Sequence, residues 1–390
     1  MLLFLHQPAV PRPELKYHAM TPAWSWRTIL FKIHFVGGLI AAVFLVVLAL
    51  TGCIMAFESD IDRLLHPSLL QVTPSGEALP LTTLAAHVAG MMRPYERIEN
   101  YILPRKPESS CAFTLAASGR RPRQIFVNPY TGRVLGSLSV VRFVLVAHAI
   151  HESSDMMMGC AAILLMSSVV SGIYLWWPLK RIKITLHGSR RRLYFDLHNS
   201  VGFFSSLFLL IFALTGAYMA FGNWTVPVTY KLTGSKPLPD DPPSIAVAGA
   251  ASISPDRALN VARDFLPAAI PLWVVIPEEK TDAYLVKMRF PEDHSSNGAS
   301  IVWVDQFSGK VLGAWNSRTA PVARKIERAN RDIHSGDIWG YSSRALACLM
   351  SMALVIQAIT GPYLWWRRKR NKNASTNGIV GQPQPGVASN

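Results

Sequence analysis

IHFVGGLIAAVFLVVLALTGCIMAFE, residues Ile33–Glu58, is the stretch on which the reading of this chain turns. From Phe35 to Phe57 no residue is charged. That run makes about 35 Å of helix at about 1.5 Å per residue, enough to cross a bilayer. His34 stands at its near end, and Leu50-Thr51-Gly52-Cys53 stands near its far end. The same design returns at His198–Phe221, where Leu214-Thr215-Gly216-Ala217 takes the equivalent place. One offset, 164, carries His34 onto His198 and Thr51-Gly52 onto Thr215-Gly216. Leu50–Cys53 alone resembles a lipobox. Its copy lacks the cysteine and lies inside a span, so Thr-Gly reads instead as a small-residue contact that lets helices approach closely.

Half of the 390 residues are hydrophobic and 16% are charged, and the mean hydropathy is positive, which marks a membrane protein with sizeable water-facing parts. Four runs qualify as spans, giving an expected order along the chain: a segment 1–26, a first span 27–58, an outer domain 59–155, a second span 156–178, a basic link 179–197, a third span 198–222, a second outer domain 223–338, a fourth span 339–366 and a disordered tail 367–390. Leu2–Leu5 is too short an apolar core for a cleavable signal. The N-terminal segment to Lys32, the link and the tail carry 15 Lys and Arg against Glu14 and Asp196, so most of the net charge of +15 lies on one side. The positive-inside rule makes that side cytoplasmic, with both termini there and both large segments outside. In a Gram-negative cell that means the inner membrane and the periplasm. The basic balance reflects topology and calls for no nucleic acid. Trp24, Trp26, Trp176, Trp177, Trp365 and Trp366 then fall at the cytoplasmic interface as an aromatic belt.

Each outer segment reads as α+β. Leu81–Met92 suits a helix, and Ile125–Gly136 suits two strands around a tight turn in which Gly132 takes positive φ. The second segment repeats the unit: Ser254 caps a helix to Phe265 with Pro255 at its first position, strands follow near Leu272–Ile276 and Ala283–Phe290, and Ile301–Gly313 matches the earlier hairpin, Gly309 answering Gly132. Spans two and four also match, ending Ser171-Gly172-Ile-Tyr-Leu-Trp-Trp177 and Thr360-Gly361-Pro-Tyr-Leu-Trp-Trp366. The fold expected is integral membrane α-helical: four transmembrane helices in two parallel repeats, with two outer α+β domains.

The histidines sort by depth. His34 and His198 lie just inside the cytoplasmic ends of spans one and three. His151 and His334 lie at the outer ends of spans two and four. A quasi-twofold arrangement opposes His34 to His198 and His151 to His334, and two imidazoles opposed in a helical bundle suit a haem iron. Without Cys-x-x-Cys-His the haem would be of b type, and two pairs imply two. Zinc or copper also accept imidazole, and buried histidines can relay protons. Asp155 and Asp337 could orient the outer histidines or simply be interfacial charges. His148 shares a helical face with His151 and is the alternative outer ligand, with Arg331 at its place in the second copy. Arg324, Arg328, Arg331 and Trp339 could dock an anionic ligand or simply form a solvated face.

The strand-turn-strand units Asn128–Leu135 and Asp305–Leu312, the Tyr-Leu-Trp-Trp span ends and the histidine-started spans resemble the PepSY-associated transmembrane family of bacterial inner-membrane proteins, from about Trp26 to Arg370. Within it the likeness is to siderophore reductases of the ferrioxamine-reductase kind. The resemblance implies an oxidoreductase that reduces ferric siderophore at the periplasmic face to release iron, with His34, His198, His151 and His334 as axial haem ligands. Its electron donor, cytoplasmic or membrane-borne, is unspecified. A competing expectation is a haem-free regulator whose PepSY units bind a peptide or protease. A transporter is disfavoured, because the spans lack breaks and midplane charges.

Overall fold

Apolar length dictates the first element. In this computed structural model, which describes residues 25–120, 122–138, 142–180, 182–237, 241–245 and 249–380, Ser25 accepts the amide of Thr28 and starts α1 (Trp26–Ala56). The Leu2–Leu5 run, Trp24 and the last ten residues lie outside the described residues. Short helices α2 (Glu58–Leu65) and α3 (Pro67–Leu70) lead to α4 (Leu81–Ala89) and strands β1 (Arg97–Ile102), β2 (Cys111–Ala116), β3 (Arg123–Val127) and β4 (Val134–Leu138). Two helices follow, α5 (Arg142–His151) and α6 (Asp155–Trp176). The second half runs α7 (Arg190–Ala220), α8 (Gly222–Thr233), α9 (Pro255–Phe265), β5 (Ile270–Val275), β6 (Tyr284–Arg289), β7 (Ser300–Val304), β8 (Val311–Trp315), α10 (Val322–Ser335) and α11 (Tyr341–Val380).

Four of these helices are long and apolar enough to cross a membrane: Trp26–Ala56, Asp155–Trp176, Arg190–Ala220 and Tyr341–Arg370. They form a bundle in which α1 packs on α6 and α11, and α7 packs on the same two. Small and branched residues meet inside it, among them Ala41, Leu45, Ala161, Leu165 and Ala213. Large apolar side chains such as Val43, Leu207 and Leu349 point outward and stay exposed, as lipid-facing residues do. Cys53 and Cys348 mark a close approach of α1 and α11, each sulfur 3.9 Å from the other's carbonyl oxygen. Trp176 is not a belt residue: it is buried, stacked on Phe203 at 4.1 Å between ring centres.

Period-two alternation builds the outer part. The eight strands form one antiparallel sheet in the order β4-β3-β2-β1-β5-β6-β7-β8. The two expected α+β units therefore share a single sheet, joined where Asn100, Tyr101 and Ile102 pair with Val275, Val274 and Trp273. One face, carrying Phe113, Ile125, Val274, Val286 and Val302, packs with α4 and α9 into the main core. The other face presents Ile102, Ala112, Phe126, Trp273 and Lys287 to a cavity described below. Both hairpins turn alike. Asn128 and Asp305 accept the amides two and three residues on through their side chains, an Asx turn. Gly132 and Gly309 complete the turns at φ +70° and +71°, where a Cβ is strained. Because Phe113 is fully buried in that core, Phe113→Ala should lower stability by about 3–5 kcal/mol, read as a lower melting temperature of the purified protein.

Several boundaries differ from the sequence reading. α7 starts at Arg190, inside the expected link, because Ser189 caps it by accepting the Arg192 amide. α8 follows directly on α7 and was missed, since Pro227 lies within it. The helix of the fourth span continues to Val380, where a disordered tail was expected. Ser254 and Pro255 start α9 as anticipated.

Candidate functional site

The four span-associated histidines come together as two pairs. His34 on α1 and His198 on α7 face each other across the bundle, ring centres 6.2 Å apart and planes 80° to one another. His151 and His334 oppose each other at 6.5 Å and 61°. The outer two are not on the spans themselves: α5 and α10 are separate helices that lean on α1 and α7 and deliver His151 and His334 from the side. From His34 to Thr51 on α1 is 17 residues, which puts the pairs about 25 Å apart along the helix.

Each imidazole rests in a cradle made by a hydroxyl and a glycine on a neighbouring helix. Thr51-Gly52 holds His151: the Thr51 hydroxyl lies 3.0 Å from Nδ1, and a Cβ on Gly52 would stand 3.2 Å from the ring Cε1. Thr215-Gly216 holds His334 in the same way, at 2.9 Å and 3.1 Å. Thr360-Gly361 holds His198, at 2.9 Å and 3.4 Å. Ser171-Gly172 holds His34, with Nδ1 3.2 Å from the Ser171 hydroxyl and 2.9 Å from the Ser168 carbonyl, and 3.0 Å from a Gly172 Cβ to Cε1. The Thr-Gly steps thus serve imidazoles rather than helix–helix contact alone. Asp155 and Asp337, expected as orienting groups, do not fill that role; Asp337 instead accepts Arg344 at 2.8 Å.

The cradles set the tautomer. Thr51, Thr215 and Thr360 spend their own protons on the carbonyls of Val47, Ile211 and Ile356 at 2.7–2.8 Å. Each hydroxyl therefore accepts from the imidazole Nδ1–H, and the Ser168 carbonyl can only accept from His34. Nε2 is left unprotonated with its lone pair free. One metal between two imidazole nitrogens, about 2 Å from each with about 1.1 Å more to each ring centre, sets ring centres about 6.2 Å apart. The ring-centre spacings of 6.2 Å and 6.5 Å allow such an arrangement. Among the described residues no group of three or more His, Cys, Asp and Glu is placed to hold a metal ion. Two imidazoles alone fall short of the four ligands of a closed zinc site, whereas a macrocycle brings its own in-plane donors. The donor set therefore suits a haem better than a bare ion.

The sequence model of the PepSY-associated TM region matches residues 31–368. The chain belongs to this family. No curated protein matches the sequence.

Around the outer pair this PepSY-associated TM protein has a cavity of about 1100 Å³, reaching from Leu45 and Leu165 in the bundle past His151 and His334 to Trp273 beneath the sheet. His148 lines it but turns from the pair, its Nε2 2.9 Å from a Glu58 carboxylate oxygen and its Nδ1 3.6 Å from Glu152. Of the four residues expected to meet an anion, Arg328 and Arg331 line the cavity. Arg324 pairs with Glu327 at 2.7 Å, and Trp339 is exposed away from the lining. Sequence reasoning missed Ser171, Thr360 and the role of Thr51 and Thr215. The signal was present: Ser/Thr-Gly occurs once in each of the four spans.

Proposed function

We propose that this PepSY-associated TM protein is a di-haem electron-transfer protein of the bacterial inner membrane that reduces ferric siderophore at the periplasmic face. The observation that carries the reading is the pair of opposed, hydroxyl-anchored imidazole couples with Nε2 free and metal-compatible spacing. His34 and His198 would hold an inner haem b, His151 and His334 an outer one, with His148 kept out by Glu58. Bound haem supplies reversible one-electron exchange at iron. The chain's own part is to fix the imidazoles through Ser171, Thr360, Thr51 and Thr215, and to space the two couples across the bilayer.

The matched halves support two parallel repeats. Arg27, Lys32, Arg190–Arg192 and Arg367–Arg370 cluster near the ends of the spans beside the inner pair, which supports cytoplasmic termini and a periplasmic sheet. The outer cavity would seat the ferric chelate. There Fe(III) takes one electron to become Fe(II), which hard oxygen ligands hold less firmly. The electron enters on the cytoplasmic side or from within the bilayer, from a donor the sequence does not name. A haem-free regulator binding a peptide or protease would leave four cradled imidazoles without purpose. The visible spectrum of the purified protein tests the proposal. A Soret band that shifts on dithionite addition, with two haems per chain, is expected; a colourless preparation ends it.

A further inference from the structure

One wall of the outer cavity carries more cationic than acidic side chains. Arg105 between β1 and β2, Lys287 in β6, and Arg328 and Arg331 on α10 all line it. They arrive from three separate parts of the fold, so neither a run of sequence nor one helix face accounts for their meeting. Arg105 donates to the Asn297 side-chain oxygen at 3.0 Å. Arg328 donates to the Gly298 carbonyl at 2.6 Å and has Asp332 3.5 Å away. Among the described residues Lys287 and Arg331 have no carboxylate partner. The Lys287 ammonium sits 4.5 Å over the Trp273 ring. Burial, with Arg328, Arg331, Arg105 and Arg324 beside it, lowers its pKa to about 8. Of the acids that line the cavity, Glu58, Asp62, Glu152 and Asp155 come from elsewhere, while Asp332 lies beside Arg328 and Asp337 is paired with Arg344. Glu58 is already engaged by His148.

Like charges brought together and partly desolvated raise the free energy of the empty site, and an anion repays it. A guanidinium fork donates to both oxygens of a carboxylate in a way water cannot copy. We propose that Arg105, Lys287, Arg328 and Arg331 form a carboxylate-binding wall, and that the ferric chelate taken up here carries free carboxylates and net negative charge. This rests on the reductase reading and narrows its substrate class. A cationic trihydroxamate chelate would meet like charge on this wall. The same carboxylate chemistry has a second source, the acid arms of the haem between His151 and His334.

The test uses the full chain in detergent, with haem content measured on every sample. Equilibrium dialysis compares iron-55 ferric citrate with iron-55 ferrioxamine B on the wild type and on Lys287→Gln, Arg331→Gln and Arg331→Lys. Wild type is expected to retain ferric citrate in preference to ferrioxamine B. The two glutamine variants are expected to weaken ferric citrate at least about tenfold, with haem content and melting temperature unchanged and Arg331→Lys partly restoring binding. If the glutamine variants instead lose haem and wild type never retains ferric citrate, the carboxylates are the haem's own and the chelate assignment is overturned. If neither binding nor haem content moves, the wall itself is overturned. A colourless wild type that still retains ferric citrate supports the wall and removes the reductase.

Discussion

If the proposed di-haem reading holds, replacing His34 or His198 by Ala should remove about half of the haem from the purified protein, and replacing His151 or His334 should remove the other half. The expectation follows from pairing: a lone imidazole faces an empty position, and the other couple, about 25 Å away along the bundle, is untouched. Combining one inner and one outer substitution should give a colourless protein. A merely unstable variant would lose both haems together, so retention of half is the informative signature. Losing the outer couple should also abolish reduction of a chelate in solution while the inner haem still takes electrons from dithionite. If all four single variants keep full haem content, the ligand assignment is wrong.

The second large effect is expected at the cradles, which would not themselves ligate a haem iron. Thr215→Val keeps the shape and removes the acceptor of the His334 Nδ1–H bond at 2.9 Å. The outer haem should then be held about 10–100-fold less tightly, with the inner haem unchanged. Thr360→Val should reverse that pattern through His198. Gly172→Val presses directly on His34, because even the first added carbon stands 3.0 Å from Cε1. Gly38→Ala is the matched control in the same bundle, since nothing lies within 4 Å of its added carbon. Haem titration of the apo forms measures the affinities, and a redox titration reports the shifted potential of the affected couple. Equal loss from both couples in Thr215→Val would show that the hydroxyl serves the bundle rather than one imidazole.

Much of the bundle was legible because hydrophobic length and a 164-residue repeat are local, countable signals. Ser254 with Pro255 gave a helix start, and Gly132 and Gly309 gave two turns, each through chemistry confined to a few residues. What stayed hidden depends on packing. Nothing near Thr51 in sequence says that it serves His151 rather than His34, which lies on the same helix. Which hydroxyl meets which imidazole is decided by how α5 leans on α1. The separation of α5 and α10 from the spans was equally obscure, because Ser154 and Gly336 break the helices without interrupting the histidine pattern. Charge misled in another way. Arg324, Arg328 and Arg331 share one helix, yet only the latter two reach the cavity, and Lys287 and Arg105 join them from distant strands and loops.

The junction of β1 with β5 bears on how the protein is made. When the ribosome has finished the first half, Asn100–Ile102 has no β5 to pair with and its free backbone groups are unsatisfied. Its partner strand arrives only after α7, α8 and α9 have been made. During that interval the half-molecule is a sheet with a raw edge, ready to pair with a neighbour's. Either half expressed alone should be aggregation-prone, while two halves cut within the basic link and produced together should find each other and close the edge.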